Sequence, residues 1–120
     1  MTYAEIKSAL GMVQSPLEKL EFVMDLGRSL EQVPESAKCY EIKGCASFVQ
    51  ICRDENHFFG MADSALVRGI VAIIVAMVDG KTSDEIKNMD LGGEFAGLNL
   101  NLGAGRLNGV NSMIRFLQNL

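Results

Sequence analysis

The chain has 120 residues, of which 48% are hydrophobic, 7% aromatic and none Trp, with 11 basic against 15 acidic side chains for a formal net charge of −4. That length fits one domain, residues 1–120, and that apolar content builds a core without help from a metal. The acidic balance and the lack of any basic run disfavour a nucleic-acid partner.

In chain order, a short helix is expected over Tyr3 to Leu10. The next start is better marked: Ser15 can cap, Pro16 suits the first helical position, and Glu18 can complete a capping box. Leu17, Leu20, Met24 and Leu26 then recur at helical spacing, and Gly27 marks the end. From Glu41 the pattern turns to strands. An edge strand is weakly signalled at Tyr40 to Lys43, a clear one covers Ser47 to Cys52, and His57 to Met61 returns after the turn residues Asp54-Glu55-Asn56. Asp63 is placed to cap a long helix from Ser64 to Val78, closed by Asp79-Gly80. Its Val67, Ile70, Val71, Ile74, Val75 and Val78 cover most of the circumference, which makes it the buried central helix. Thr82 to Glu85 is a second capping box opening a short helix. Five glycines between Leu91 and Gly105 predict an irregular stretch, and a last helix follows from Arg106 to Leu117 with Leu107, Val110, Ile114 and Leu117 in one stripe. Helices before and after one small antiparallel three-stranded sheet read as α+β.

Most site chemistries are absent. The chain holds no GxxxxGK[ST] phosphate loop, no HExxH, no CxxC and no GxSxG elbow. The single histidine, His57, reads as an ordinary strand residue. Cys39, Cys45, Cys52 and His57 are too widely spaced for a preorganised zinc site, so no metal is expected. An odd number of cysteines at these spacings matches no disulfide framework, and the N-terminus does not read as a signal peptide. The longest apolar run, Ile70 to Val78, is too short to cross a bilayer. No membrane partner is expected, and a reducing cytoplasm with free thiols suits the chain.

Among the thiols Cys45 stands out. It lies in Lys43-Gly44-Cys45-Ala46-Ser47, a loop entering a strand, where Gly44 permits a presenting turn and Lys43 is a cation of the kind that stabilises a thiolate. Cys52 should face the core or the helix layer as packing, and Cys39 is ambiguous, a predicted-loop residue for which an exposed bystander is one reading.

Three motifs in order resemble the SufE-like sulfur acceptors. Gly44-Cys45-Ala46-Ser47 is similar to that family's GCxS loop. Ala62 to Ile70 is similar to its acidic cap and A-[IL]-V-[KR]-G-[LI] helix start, and Gly105 to Met113 to its [SG]-R-x-x-G-[LV]-x-x-M opening of the last helix. Ala46, Phe48 and Asn101 depart from common family residues, and the segment between Cys45 and the central helix is short. The resemblance implies a SufE/IscU-like fold and a persulfide carrier on Cys45, activating a cysteine desulfurase rather than turning over alone. Its partners would be a pyridoxal-phosphate-dependent cysteine desulfurase and an iron–sulfur scaffold that receives the sulfur. No resident cofactor is implied, and a weak homodimer is compatible with it. Gly44, Ser47, Asp63 and Arg106 are the supporting candidates. Asp63 would cap its helix near the partner face. Arg106 would act electrostatically near Cys45 or hydrogen-bond a loop carbonyl. The alternative is a regulatory binding module for a desulfurase that carries no sulfur.

Overall fold

Helix α3, Ala65–Val78, is the axis of the molecule. Its sequence is apolar almost all round, and every residue from Gly69 to Ile74, with Met77 and Val78, is buried. The computed structural model describes residues 1–120. Before α3 come α1 (Tyr3–Met12), α2 (Pro16–Gly27), β1 (Lys38–Glu41), β2 (Val49–Asp54) and β3 (His57–Ala62). After it come α4 (Ser83–Lys87), α5 (Leu91–Ala96) and α6 (Ala104–Gln118). The strands form one antiparallel sheet in the order β1-β2-β3. This is the expected α+β architecture.

Strand alternation decides what meets α3. Val49 and Ile51 of β2 pair with Ala62 and Gly60 of β3, and a side chain at Gly60 would run into Val71 of α3 and touch Val75. That face of the sheet therefore packs on the helix, with Gly60 leaving the room the valines occupy. On the other side of α3, Gly69 lets the backbone of α2 approach at Val23, and Gly27 of α2 lies against Arg68. Ile6 and Leu10 of α1 join the same core, as do Ile86, Leu91, Phe95, Val110, Met113, Ile114 and Leu117 from the C-terminal third. Polar ties lock the periphery: the Tyr3 hydroxyl donates to Glu94 over 2.7 Å, and the Gln118 amide donates to the Met89 carbonyl over 2.6 Å.

Several sequence-based expectations need correction. Ser15 caps α2, accepting from the Glu18 N–H, but the stripe behind it is shifted. Val23, Leu26 and Gly27 are the buried residues, while Leu17 is 65% and Met24 41% exposed. The reason is the close α2–α3 contact through Gly69, which selects the Val23 face of the helix. The cap of α3 is Ser64, whose hydroxyl accepts from the Val67 N–H, so Asp63 is not the capping residue. The glycine-rich stretch contains a helix, α5, opened by Asp90 accepting from the Gly93 N–H. Helix α6 begins at Ala104, before Arg106, and Leu107 is exposed.

The largest correction concerns the thiols. Cys39 and Cys52 are directly paired across β1 and β2 and form a disulfide, with Cα atoms 4.0 Å apart. Strand geometry explains why. The Ile42 N–H donates to the Val49 carbonyl, which makes those two a hydrogen-bonded pair of the antiparallel ladder. Three steps back, Cys39 and Cys52 form a pair of the other kind, where side chains stand closest. Cys52 is fully buried as expected, but on the sheet face turned away from α3. Cys39 is exposed, and it is bonded rather than a bystander.

Candidate functional site

Cys45 is the one free cysteine. It lies in the middle of segment 42–48, which joins β1 to β2, and the local sequence sets its posture. Ile42 is buried and hydrogen-bonded to Val49, so the loop starts from a fixed point. Gly44 then takes φ +89°, a conformation that side-chain-bearing residues rarely adopt. A Cβ there would also strike the Ser112 hydroxyl of α6, so glycine is required for the backbone to lie this close to the helix.

The turn folds Cys45 inward against α6. Its thiol donates to the Gly109 carbonyl across 3.8 Å, a long and weak contact. A Cβ on Gly109 would come within 3.3 Å of the sulfur, which shows how closely the absent side chain lets the thiol approach. The sulfur borders a small cavity of about 40 Å³ whose walls include Val67 and Ile70 of α3, Gly109 and Met113 of α6, and Val49. Such surroundings solvate a thiolate poorly. Burial therefore pushes the Cys45 thiol above its ordinary pKa, and no cation is among the causes.

The other candidates divide. Ser47 and Arg106 border the same cavity as Cys45, and Gly44 supplies the turn. Arg106 donates from its guanidinium to the Leu102 carbonyl over 3.2 Å, one of its two expected roles. This contact answers the poor fit of a cation at a helix N-terminus, because it ties the first turn of α6 back to the preceding loop. Lys43 points to Glu41, 3.9 Å away, with both side chains largely exposed. Asp63 is exposed at the β3–α3 junction and does not border the cavity. Gly109 and Ser112 receive no role from sequence reasoning, although both lie in the third motif. A glycine inside a helical stripe was the signal, since it costs helix stability unless something packs there. No three His, Cys, Asp or Glu side chains gather as a metal site. No helix is long and apolar enough to cross a membrane.

Chemically, this arrangement is a free thiol partly covered by the loop's seat. The thiol is covered, its ionisation is discouraged, and the only group it touches by hydrogen bond is a main-chain carbonyl.

The model of the SufE family, described as an Fe-S metabolism associated domain, matches residues 4–120. An uncharacterized SufE-like protein of Rhizobium meliloti (strain 1021) is 34% identical over 110 residues, covering 82% of this chain and 79% of that protein. The sulfur acceptor protein CsdE of Escherichia coli (strain K12) is 30% identical over 105 residues, covering 80% and 71%. The solution structure of a hypothetical protein from Thermus thermophilus superposes with a TM-score of 0.70 over 99% of this chain and 94% of that one. At 15% identity it bears on the fold alone. With nearly the whole chain matched and the Cys45 loop seated between the two helices that carry the other motifs, this protein belongs to the SufE family of Fe-S metabolism associated domains.

Proposed function

We propose that this protein accepts sulfur on Cys45 from a pyridoxal-phosphate-dependent cysteine desulfurase, stimulates that enzyme by unloading it, and passes the sulfur to an iron–sulfur scaffold. The observation that carries the reading is the posture of Cys45. It is the one free thiol, on a loop joining two strands, tucked against apolar side chains. Membership of the family and the likeness to a protein named as a sulfur acceptor support it.

The transfer needs no outside oxidant. Cys45 thiolate attacks the outer sulfur of a persulfide on the desulfurase, a new S–S bond forms at Cys45, and the desulfurase cysteine leaves as thiolate. Undocking the loop exposes the thiol and removes the burial that raises its pKa, so access and activation arrive together. Redocking shelters the loaded sulfur from stray thiols. In this reading Gly44 is the hinge, and Ser47 borders the seat. Arg106 holds the first turn of α6 against Leu102, and Asp63 belongs to the face that meets the partner. A cytoplasmic setting suits a carrier whose thiol must stay reduced between cycles.

Intact-mass spectrometry after incubation with a cysteine desulfurase and cysteine tests the reading. A gain of one sulfur atom mapped to Cys45, lost in Cys45→Ser together with stimulation, is the expected result. Undiminished stimulation by Cys45→Ser would instead establish a regulator that carries no sulfur.

A further inference from the structure

Cys39 and Cys52 take no part in the sulfur-accepting site, yet they sit on the two strands that frame it. β1 ends at Glu41 and β2 begins at Val49, so the loop bearing Cys45 is the connection of this single hairpin. The chain leaves Cys39, passes through Cys45 and returns at Cys52, a separation of 13 residues closed by the disulfide. The bridge therefore encloses the nucleophile loop.

What it clamps is weakly held otherwise. β1 is an edge strand of four residues, all exposed, with four register pairs to β2 and no neighbour on its other side. Strands with few buried contacts open locally at low cost. With the bridge closed, fraying of β1 from Lys38 stops at Cys39, and Ile42 keeps its anchor beside Val49. With the bridge open, nothing covalent stops fraying from reaching the loop. One half of the bridge is also reachable, since Cys39 is exposed while Cys52 is fully buried. Disulfides open to solvent are the labile ones.

We propose that the Cys39–Cys52 bridge is a redox switch on the hairpin that carries Cys45. Oxidised, it keeps the loop seated on α6; reduced by a dithiol, it releases β1 and raises the exposure of Cys45. In the reductive step a thiolate of the dithiol attacks the sulfur of Cys39, the exposed residue of the pair, the S–S bond breaks, and Cys52 leaves and takes a proton. The second thiol of the reductant then displaces Cys39, so the dithiol ends as a disulfide and the hairpin gains two hydrogens. The functional meaning rests on Cys45 being the sulfur acceptor, but the switch can be read without any desulfurase.

The experiment compares wild-type protein oxidised in a glutathione-disulfide buffer, the same protein reduced and freed of reductant, and the double variant Cys39→Ser/Cys52→Ala. Iodoacetamide labelling of each cysteine is followed by peptide mass spectrometry. Cys45 should label on the order of tenfold faster in the reduced protein and in the double variant, as expected when a loop-closing cross-link is removed. Equal Cys45 rates in oxidised and reduced wild type would overturn the switch. So would failure of Cys39 and Cys52 to lose two hydrogens in the oxidising buffer. If the double variant does not fold, the two wild-type samples decide the matter alone. Sulfur loading by a desulfurase is measured on the same samples. Loading absent throughout, with labelling that still responds to reduction, would discard the sulfur-acceptor reading and leave the switch standing.

Discussion

Strand β2 belongs to two hairpins of opposite character. With β3 it makes six register pairs through a two-residue turn, Glu55-Asn56, with Glu55 at φ +55°. That hairpin is tied from several sides. Arg53 donates to the Glu55 carbonyl and the Ser83 hydroxyl, each over 2.7 Å, and its guanidinium lies 5.1 Å from the Phe58 ring centre. The Phe58 N–H donates to Asp79 at the end of α3, and Gly60 sits beneath Val71. With β1 the same strand makes four pairs, across the longer loop 42–48, whose thiol has only the 3.8 Å contact to hold it. Stability and reactivity are thus separated along one strand. The β2–β3 side and α3 supply a wall tied at many points, while the β1–β2 side holds its loop through the Cys39–Cys52 bridge and few polar contacts.

The largest expected effect lies on the rigid side. Gly69→Ala would push a methyl into the Val23 backbone of α2, which cannot step aside as a side-chain tip can. We expect a loss of about 3 kcal/mol in denaturant unfolding, the upper end of overpacking penalties. Native-state labelling of Cys45 should stay near wild type. A loss below about 1 kcal/mol would show that the α2–α3 contact yields, and the rigid side would then be less rigid than its packing implies.

Gly44→Ala probes the other hairpin. The residue must leave φ +89° or bear a strain of about 1–2 kcal/mol, and its methyl meets the Ser112 hydroxyl. The loop can lift locally, so global stability should fall by only about 1 kcal/mol while Cys45 labels several-fold faster. Unchanged labelling would break the comparison, because the loop would then be held by something other than its seat on α6. Gly109→Ala is gentler still. The new methyl stands 3.3 Å from the sulfur, while alanine is worth about 0.8–1.0 kcal/mol over glycine in a helix interior. Near-neutral stability with moderately faster Cys45 labelling is the expected pair of results.

How much of this was legible depends on the kind of signal. The caps at Ser15 and Thr82, the apolar α3 and the order of strands follow from local chemistry, and the structure repeats them. The buried face of α2 is not legible in the sequence, because Leu17 and Val23 are equally apolar and only the backbone approach at Gly69 chooses between them. The Cys39–Cys52 pair is hidden from the sequence for a similar reason. Placing the edge strand at Tyr40 to Lys43, two residues late, left Cys39 outside it. Pairing is a property of register, which the long loop does not fix. Cys45 was singled out because its turn and neighbours are local. Its seat on Gly109 was not, because that contact joins residues 64 positions apart.

The smallest effect concerns charge at the thiol. If Arg106 stabilised the thiolate, Arg106→Ala would raise the midpoint of Cys45 alkylation against pH. The guanidinium is bonded to the Leu102 carbonyl, and burial is what raises the thiol's pKa. We therefore expect the midpoint to stay in place and the plateau rate to rise modestly as the first turn of α6 loosens. The midpoint itself should lie above that of an ordinary thiol, about 8.5, in wild type and fall toward it in Gly44→Ala. The linkage has a definite sign. A folded-state pKa above the unfolded one means the docked form holds its proton more tightly, so this contribution to docking is fully present below the ordinary thiol value. It is lost as pH rises through the folded one. Alkaline conditions should therefore loosen the Cys45 loop before they unfold the β2–β3 side, visible as earlier amide exchange in residues 42–48. A midpoint that moved up in Arg106→Ala and was partly restored in Arg106→Lys would reverse the assignment and make Arg106 an electrostatic partner of the thiolate.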